Sequence, residues 1–325
     1  LLTGKRDALK RRVTRLWRDL SGAQRRTLRV VQPAPGFRAI ETGGQEMPAA
    51  AVLAGLIAEP QRWLDRRLFQ GDQPLIFDNI RGRFTRIDAR HIGRETSIDM
   101  DTGGSHIFRV LVYALTKALG LHPLLSHNAG LQDLRGIGLS DNLCYARTLA
   151  RHFDYTNTFF HKRPFLDICA DPPGYSGLDF IVASEVFEHV PPPPAVAFRN
   201  SWRMLKPGGV LILSVPYADQ IEHTLEHYPS LHRWQLRRRP ASGDSASDFY
   251  IENVDAQGRH EIFEKVAFHG GIGQTVEMRA FSKRHLLELA TQNGFAAEIV
   301  AEDVPLFGIW NQGDMNSLPM ILRKV

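Results

Sequence analysis

The apolar run LDFIVAS (Leu178–Ser184) passes directly into EVFEHV, which puts Glu185, Glu188 and His189 just past a buried segment. Carboxylates and an imidazole at such a place either cap the helix that follows or face a ligand. As ligands of a divalent ion they would polarise a bound hydroxyl, and as bases they would take a proton. The ExxEH spacing leaves Glu185, Glu188 and His189 as subordinate metal-ligand candidates, with no metal as the leading expectation, and makes His189 a candidate base. More imidazoles lie further on: His223, His227, His232, His260 and His269, accompanied by Trp234, Tyr250 and FHGGIG (Phe268–Gly273). A histidine titrates near neutrality and so suits proton transfer, and His227 is the candidate from this stretch. FHGGIG reads equally as a tight turn.

Two further segments have the make-up of a ligand-binding edge. In GIGLSD (Gly136–Asp141), Gly136 and Gly138 let backbone approach a ligand, and Ser140 and Asp141 lead straight into a helix whose first N–H groups are free. PFLDI places Asp167 at the end of a short apolar segment.

The elements that must position these groups follow from periodicity. LRGIG, YTNTFF, PFLDI, LDFIVAS, VLILSVPY, AAEIVAE and LPMILRK read as strands. Between them DNLCYARTLARHF, AVAFRNSWRML and SKRHLLELATQNGF have helical spacing. Asp141 is the expected cap of the first, and Pro191–Pro194 open the second. LDFIVAS is almost continuously apolar, as in a strand buried on both faces. Strand–helix alternation predicts a doubly wound, mostly parallel sheet, with ligands at the carboxyl ends of its strands. Upstream, Ser105–Leu119 is an amphipathic helix stopped by Gly120. The chain thus divides into a basic helical extension (1–60), a mixed connecting region (61–130) and an α/β domain (131–325) carrying an insertion at about 218–278. Long insertions over a binding rim commonly select the substrate.

Composition narrows the classes. The 325 residues are 43% hydrophobic and 23% charged, as in an ordinary globular protein. The two cysteines, Cys144 and Cys169, form no CxxC pair, which argues against a disulfide framework or a cysteine zinc site and suits a reducing, cytoplasmic setting. No apolar run is long enough to span a bilayer, and no signal-type segment follows the basic start. The net charge of +5 is concentrated at the beginning: Lys5, Lys10, Arg11, Arg12, Arg15 and Arg18 flank Leu9, Val13, Leu16 and Leu20 at helical spacing. Such a basic amphipathic helix packs on the domain behind it or meets an anionic partner such as RNA.

LDFIVASEVFEHV followed by NSWRMLKPGGVLILSVPY resembles the fourth and fifth strands of class I S-adenosylmethionine-dependent methyltransferases, and FSKRHLLELATQNGF resembles their last helix. The resemblance covers about residues 131–325. It implies a seven-stranded Rossmann-like sheet and S-adenosylmethionine as cofactor. It assigns cofactor binding to Gly136, Gly138, Ser140, Asp141, Asn157, Asp167 and Glu185, with Asp167 accepting from the adenine amino group. The family's acid–x–GxGxG motif is altered here, Leu134 standing for the acid and Ser140 for the third glycine. The acid expected after the second strand is missing, with Asn157 and His161 the nearest polar groups. A second register, with GIGLSD as the second-strand motif, stays open. A narrower resemblance is to bacterial methyltransferases in which a cysteine-rich knuckle precedes the glycine motif; FDNIRGRF and SIDMDTGGSH take its place without a cysteine.

In quinone-ring O-methyltransferases and small-RNA 2′-O-methyltransferases a similar ExxEH holds a divalent ion, although most methyltransferases with a similar EHV use none. The leading expectation is a methyltransferase acting on an O- or N-nucleophile of a small molecule or glycan. The alternatives are a non-catalytic scaffold of the same fold and a metal-assisted RNA 2′-O-methyltransferase.

Overall fold

A computed structural model of the chain describes residues 28–30, 40–42, 45–47, 75–88, 98, 103–171, 173–239, 248–311 and 317–325. Two compact units emerge. One comprises Leu1–His106 with Asp303–Trp310, the other Ile107–Glu302 with Asn311–Val325.

In the first unit, β1 (Leu28–Val30), β2 (Ile40–Thr42) and β3 (Gln45–Met47) form a small antiparallel sheet. The described parts of residues 1–60 are therefore strands, where a helical extension is expected; the basic amphipathic segment at residues 5–20 lies outside the described residues. A hairpin of β4 (Leu75–Asp78) and β5 (Arg83–Arg86) buries Ile76 and Ile87 against Trp310.

The second unit holds α1 (His106–Ala118) from Ile107 onward and a six-stranded sheet. Its strands are β6 (Arg135–Leu139), β7 (Asp154–Thr158), β8 (Leu178–Ser184), β9 (Leu205–Ser214), β18 (Phe295–Ile299) and β19 (Met320–Lys324), in the order β18-β19-β9-β8-β6-β7. The pairs β6–β7, β6–β8 and β8–β9 are parallel, and only β19 runs against its neighbours. Helices α2 (Leu143–His152), α3 (Ala195–Met204) and α4 (Lys283–Gln292) link the strands. The doubly wound, mostly parallel architecture stands as expected. β8 is buried along its length save for Ser184, and Ile181, Leu211, Phe198, Leu286 and Phe295 meet in the main core.

Among the described residues the sheet has six strands, one fewer than expected. PFLDI contributes a single parallel bridge, Phe165 to Phe159. Pro164 has no N–H to extend the ladder, and past Leu166 the chain curls at once, with Cys169 N donating to Asp167 Oδ1 (2.8 Å) and Ala170 N to Asp167 O (3.1 Å). β6 lies inside the sheet with β7 at its edge, so GIGLSD belongs to the first strand of the domain and the second register fails.

The insertion builds its own layer. Short β10 (Tyr217–Ala218) and β11 (Leu225–Glu226) come first. An antiparallel sheet of β12 (Arg233–Arg238), β13 (Phe249–Val254) and β14 (His260–Phe263) follows, and then the pair β15 (Phe268–His269) and β16 (Thr275–Val276). β17 (Arg279–Ser282) returns to pair with both β10 and β11. Tyr228, Ile251 and Met278 are buried in a core of the insertion's own.

Candidate active site at the switch point

From β6 the chain moves outward to β7 and then returns on the other side of β6 as β8. The strand order reverses between β6 and β8, and ligands of open α/β sheets bind at the carboxyl ends of strands flanking such a reversal. At these two ends the backbone is strained. Ser140, just past β6, has φ +59°, and Glu185, just past β8, has φ +57°. The left-handed region costs a non-glycine residue about 1–2 kcal/mol, and it persists only where the surroundings over-determine it. Ser140 N donates to Thr158 O (2.7 Å). Glu185 N donates to Ser214 O (2.8 Å), while Ser214 Oγ donates to Glu185 Oε1 (3.0 Å).

The expected cofactor residues around GIGLSD divide into two sets. Gly136 and Gly138 lie inside β6, not in a turn, and are required by packing. A Cβ on Gly136 would lie 2.2 Å from the Phe180 ring, and one on Gly138 would lie 2.0 Å from the Tyr155 hydroxyl oxygen and 2.2 Å from Asp141 Oδ2. Asp141 is only 3% exposed. Its carboxylate accepts from Tyr145 Oη (2.8 Å) and Tyr155 Oη (2.6 Å), and burial pushes its pKa up to about 7 against those two bonds. The assignment of Asp141 to the cofactor is corrected accordingly: its side chain is spent inward. Asn142, not Asp141, caps α2, accepting from Cys144 N at 2.9 Å. Asn157 likewise gives both amide atoms to the main chain of Asp141, so it does not stand in for a ribose acid. Ser140 is exposed at the turn, and Asp167 and Glu185 are half-buried at strand ends.

Beyond β8 the short 3₁₀ turn Phe187–His189 carries the second group. Glu188 is fully buried, and neither of its carboxylate oxygens accepts a hydrogen bond. Its nearest cationic partners are His269 Nδ1 at 3.4 Å and His189 Nε2 at 3.7 Å. One ligand atom from each of Glu188, His189 and His269 lies within 4.8 Å of the others. Glu185 Oε2 is 3.9 Å from His269 Nε2. Burial raises the pKa of Glu188, and its carboxylate in turn raises that of His269.

The insertion fixes this turn from behind. Met278 N donates to Glu188 O (2.8 Å). The buried Arg279 donates from Nη1 to Phe187 O (3.0 Å) and Val190 O (2.6 Å) and from Nε to Glu226 (2.7 Å). His189 Nδ1 lies 2.8 Å from Val276 O.

Of the expected site histidines, His189 is in this group. His227 is bound to Glu277 at 3.2 Å, and Glu277 also acts on the charge of His269. His223, His232 and His260 are exposed. The residue that sequence leaves unassigned is His269. Its signal was FHGGIG, where Gly270, Gly271 and Gly273 all have positive φ and reverse the chain just after the imidazole.

The donors suit S-adenosylmethionine at both ends but not at the ribose. The Ser140 turn and the start of α2 offer main-chain N–H groups, and Glu185 and Asp167 offer half-buried carboxylates. No carboxylate follows β7, where Phe159 and the exposed Phe160 come next.

Comparison with known proteins finds a family model that matches part of the chain. Residues 95–252 match the family model described as "Methyltransferase domain". No curated protein matches the chain. Among solved structures it is similar to the CcbJ methyltransferase from Streptomyces caelestis, at 11% identity and TM-score 0.39, with 69% of this chain and 92% of that one covered. It is also similar to DesVI of Streptomyces venezuelae (11% identity, TM-score 0.36, 66% and 91% covered). A third is the 1,6-didemethyltoxoflavin-N1-methyltransferase of Burkholderia thailandensis (13% identity, TM-score 0.37, 67% and 78% covered).

Proposed function

We propose that the chain, whose residues 95–252 match a methyltransferase-domain model, is a class I S-adenosylmethionine-dependent methyltransferase acting on an oxygen or nitrogen nucleophile of a small molecule or sugar. One observation supports this placement above the others: Ser140 and Glu185, both left-handed, sit at the carboxyl ends of the adjacent strands β6 and β8. Two strained non-glycine residues on either side of the strand reversal mark the edge at which a ligand is expected.

S-adenosylmethionine supplies, when bound, a methyl carbon on a positively charged sulfur. Toward it the Ser140 turn and Glu185 serve the methionine part, and Asp167 the adenine. The acceptor lies toward the Glu188–His269 pair. With Nδ1 facing Glu188, the His269 ring turns Nε2, 3.9 Å from Glu185 Oε2, toward the acceptor proton, and the Glu188 carboxylate stabilises the imidazolium that forms. Held by these residues, S-adenosylmethionine would supply its methyl carbon to the acceptor and leave as the neutral thioether. Alignment contributes most of the acceleration, so the bracing of the Phe187–His189 turn by Arg279 and Met278 is part of the chemistry.

The test is transfer of labelled methyl to a panel of sugars, amino sugars and small phenols. Label on such an acceptor, reduced at least about 100-fold in His269→Ala at unchanged S-adenosylhomocysteine affinity, supports the assignment. Equal transfer by the variant overturns it.

A second reading has its own observation in the buried Glu188, whose carboxylate oxygens accept no hydrogen bond. In it Glu188, His189 and His269, with Glu185 adjacent, hold a divalent ion that polarises an acceptor hydroxyl, including a ribose 2′-hydroxyl of RNA.

A further inference from the structure

Ser140 is the one left-handed residue of the β6–α2 turn, at a place where a glycine would pass without strain. What keeps a serine there is a closed set of side-chain hydrogen bonds from β6, α2 and β7. Asn157, on β7, takes Asp141 N on its Oδ1 (2.9 Å) and gives its Nδ2 to Asp141 O (2.8 Å), gripping both main-chain groups of the residue after Ser140. Thr158 Oγ1 donates to Gly138 O (2.7 Å), two residues before Ser140, while Thr158 O accepts from Ser140 N itself (2.7 Å). The Asp141 side chain is then held from within by Tyr145 and Tyr155. Gly138 completes the set: only a residue without Cβ leaves room for the Tyr155 hydroxyl and the Asp141 carboxylate side by side.

We propose that Asn157, Thr158 and Asp141 are positioning residues that hold Ser140 left-handed, so that hydrogen bonds do here what a glycine does in an unaltered cofactor turn. The proposal rests on the assignment of this turn to the cofactor. It gives Asp141 and Asn157 a role without contact to the ligand. It also extends the site to Tyr145, Tyr155 and Thr158, none of which faces the cofactor.

The consequence is specific, because the strain lies at one residue. Breaking the grip on Asp141 frees Ser140 to leave the left-handed region. A glycine at that position removes the need for the grip. A purely structural role for Asn157 has no such remedy at residue 140.

The experiment titrates S-adenosylhomocysteine into the full chain, Asn157→Ala, Ser140→Gly and the double variant by calorimetry, with melting temperatures recorded alongside. Asn157→Ala is expected to weaken binding about tenfold, and Ser140→Gly in that background to restore it to within about threefold of the starting protein. Unchanged binding by Asn157→Ala, or a double variant no tighter than Asn157→Ala, overturns the proposal. Should Asn157→Ala not fold, Asn157→Asp keeps the bond from Asp141 N and loses the one to Asp141 O; it is read the same way. If the starting protein itself fails to bind, the cofactor assignment is what fails. Amide exchange at residues 140–143 of the ligand-free proteins then decides the brace. Exchange at least about tenfold faster in Asn157→Ala supports it, and equal exchange overturns it.

Discussion

Glu188 and His269 face each other at 3.4 Å, one from the turn after β8 and the other from the last hairpin of the insertion. The carboxylate is buried and without a hydrogen bond, so the imidazole is its main compensation. This contact is one of several that join the sheet edge to the insertion, and it raises the pKa of His269.

The first prediction follows from that pairing. Glu188 raises the pKa of His269 above the ordinary histidine value, so the ring stays protonated to a higher pH than a free one. Titration of the His269 Cε1 proton by NMR should show its midpoint above 6.5, and a lower midpoint in Glu188→Gln. A midpoint that does not move would mean the two groups do not interact in solution.

A buried carboxylate with a raised pKa has an opposite effect on stability from a salt-bridged one. Asp141 goes from 3.8 unfolded to about 7 folded. Between those values the folded chain holds a proton that the unfolded chain has released, so the contribution of this group falls as pH rises. Its favourable part is present below about 4, declines up to about 7 and is gone above. Glu188 shifts in the same direction, so the comparison must be with the single variant. Relative to the parent, Asp141→Asn should gain melting temperature between about pH 4 and 7 and level off above. Parallel melting curves across that range would contradict the buried placement of Asp141.

Arg279 offers a test of how the Phe187–His189 turn is held. Its side chain is fully buried, bonded to Glu226 and to the carbonyls of Phe187 and Val190. Arg279→Met strands Glu226 and two carbonyls, a change expected to cost about 3–5 kcal/mol. Urea unfolding should show a lower midpoint at an unchanged slope, with Arg279→Lys in between. A loss under 1 kcal/mol would show that the guanidinium contributes little to the turn.

Chelation separates the two readings of the Glu188–His189–His269 group. Proton transfer by His269 alone predicts full methyl transfer in EDTA. A bound divalent ion predicts its loss, restored by adding the ion back, and no ion uptake by Glu188→Gln. The outcome assigns the group one way or the other.

Much of this arrangement was legible from pattern alone. LDFIVAS declares a doubly buried strand, and the acids and imidazole behind it mark the edge of the sheet. Glu188 and His189 could be picked out because they are local to that strand end. His269 could not be ranked above four other histidines of the insertion, since nothing in FHGGIG tells which way a glycine-rich hairpin folds back. Asp141 misleads for a related reason. A carboxylate beside a glycine turn reads as ligand-facing, and only the tertiary approach of Tyr155 from the next strand shows that it points inward. The count of strands failed at PFLDI, where a proline and an early turn at Asp167 leave one bridge of a would-be seventh strand.

The central claim is that the carboxyl ends of β6 and β8 bind S-adenosylmethionine with Asp167 at the adenine. The most direct measurement is calorimetric titration of the full chain with S-adenosylhomocysteine, repeated on Asp167→Ala. Binding with a dissociation constant on the order of micromolar, at least about tenfold weaker in the variant, is the predicted result. A folded protein that shows no heat at millimolar ligand would contradict it and leave the fold as a scaffold without the reaction.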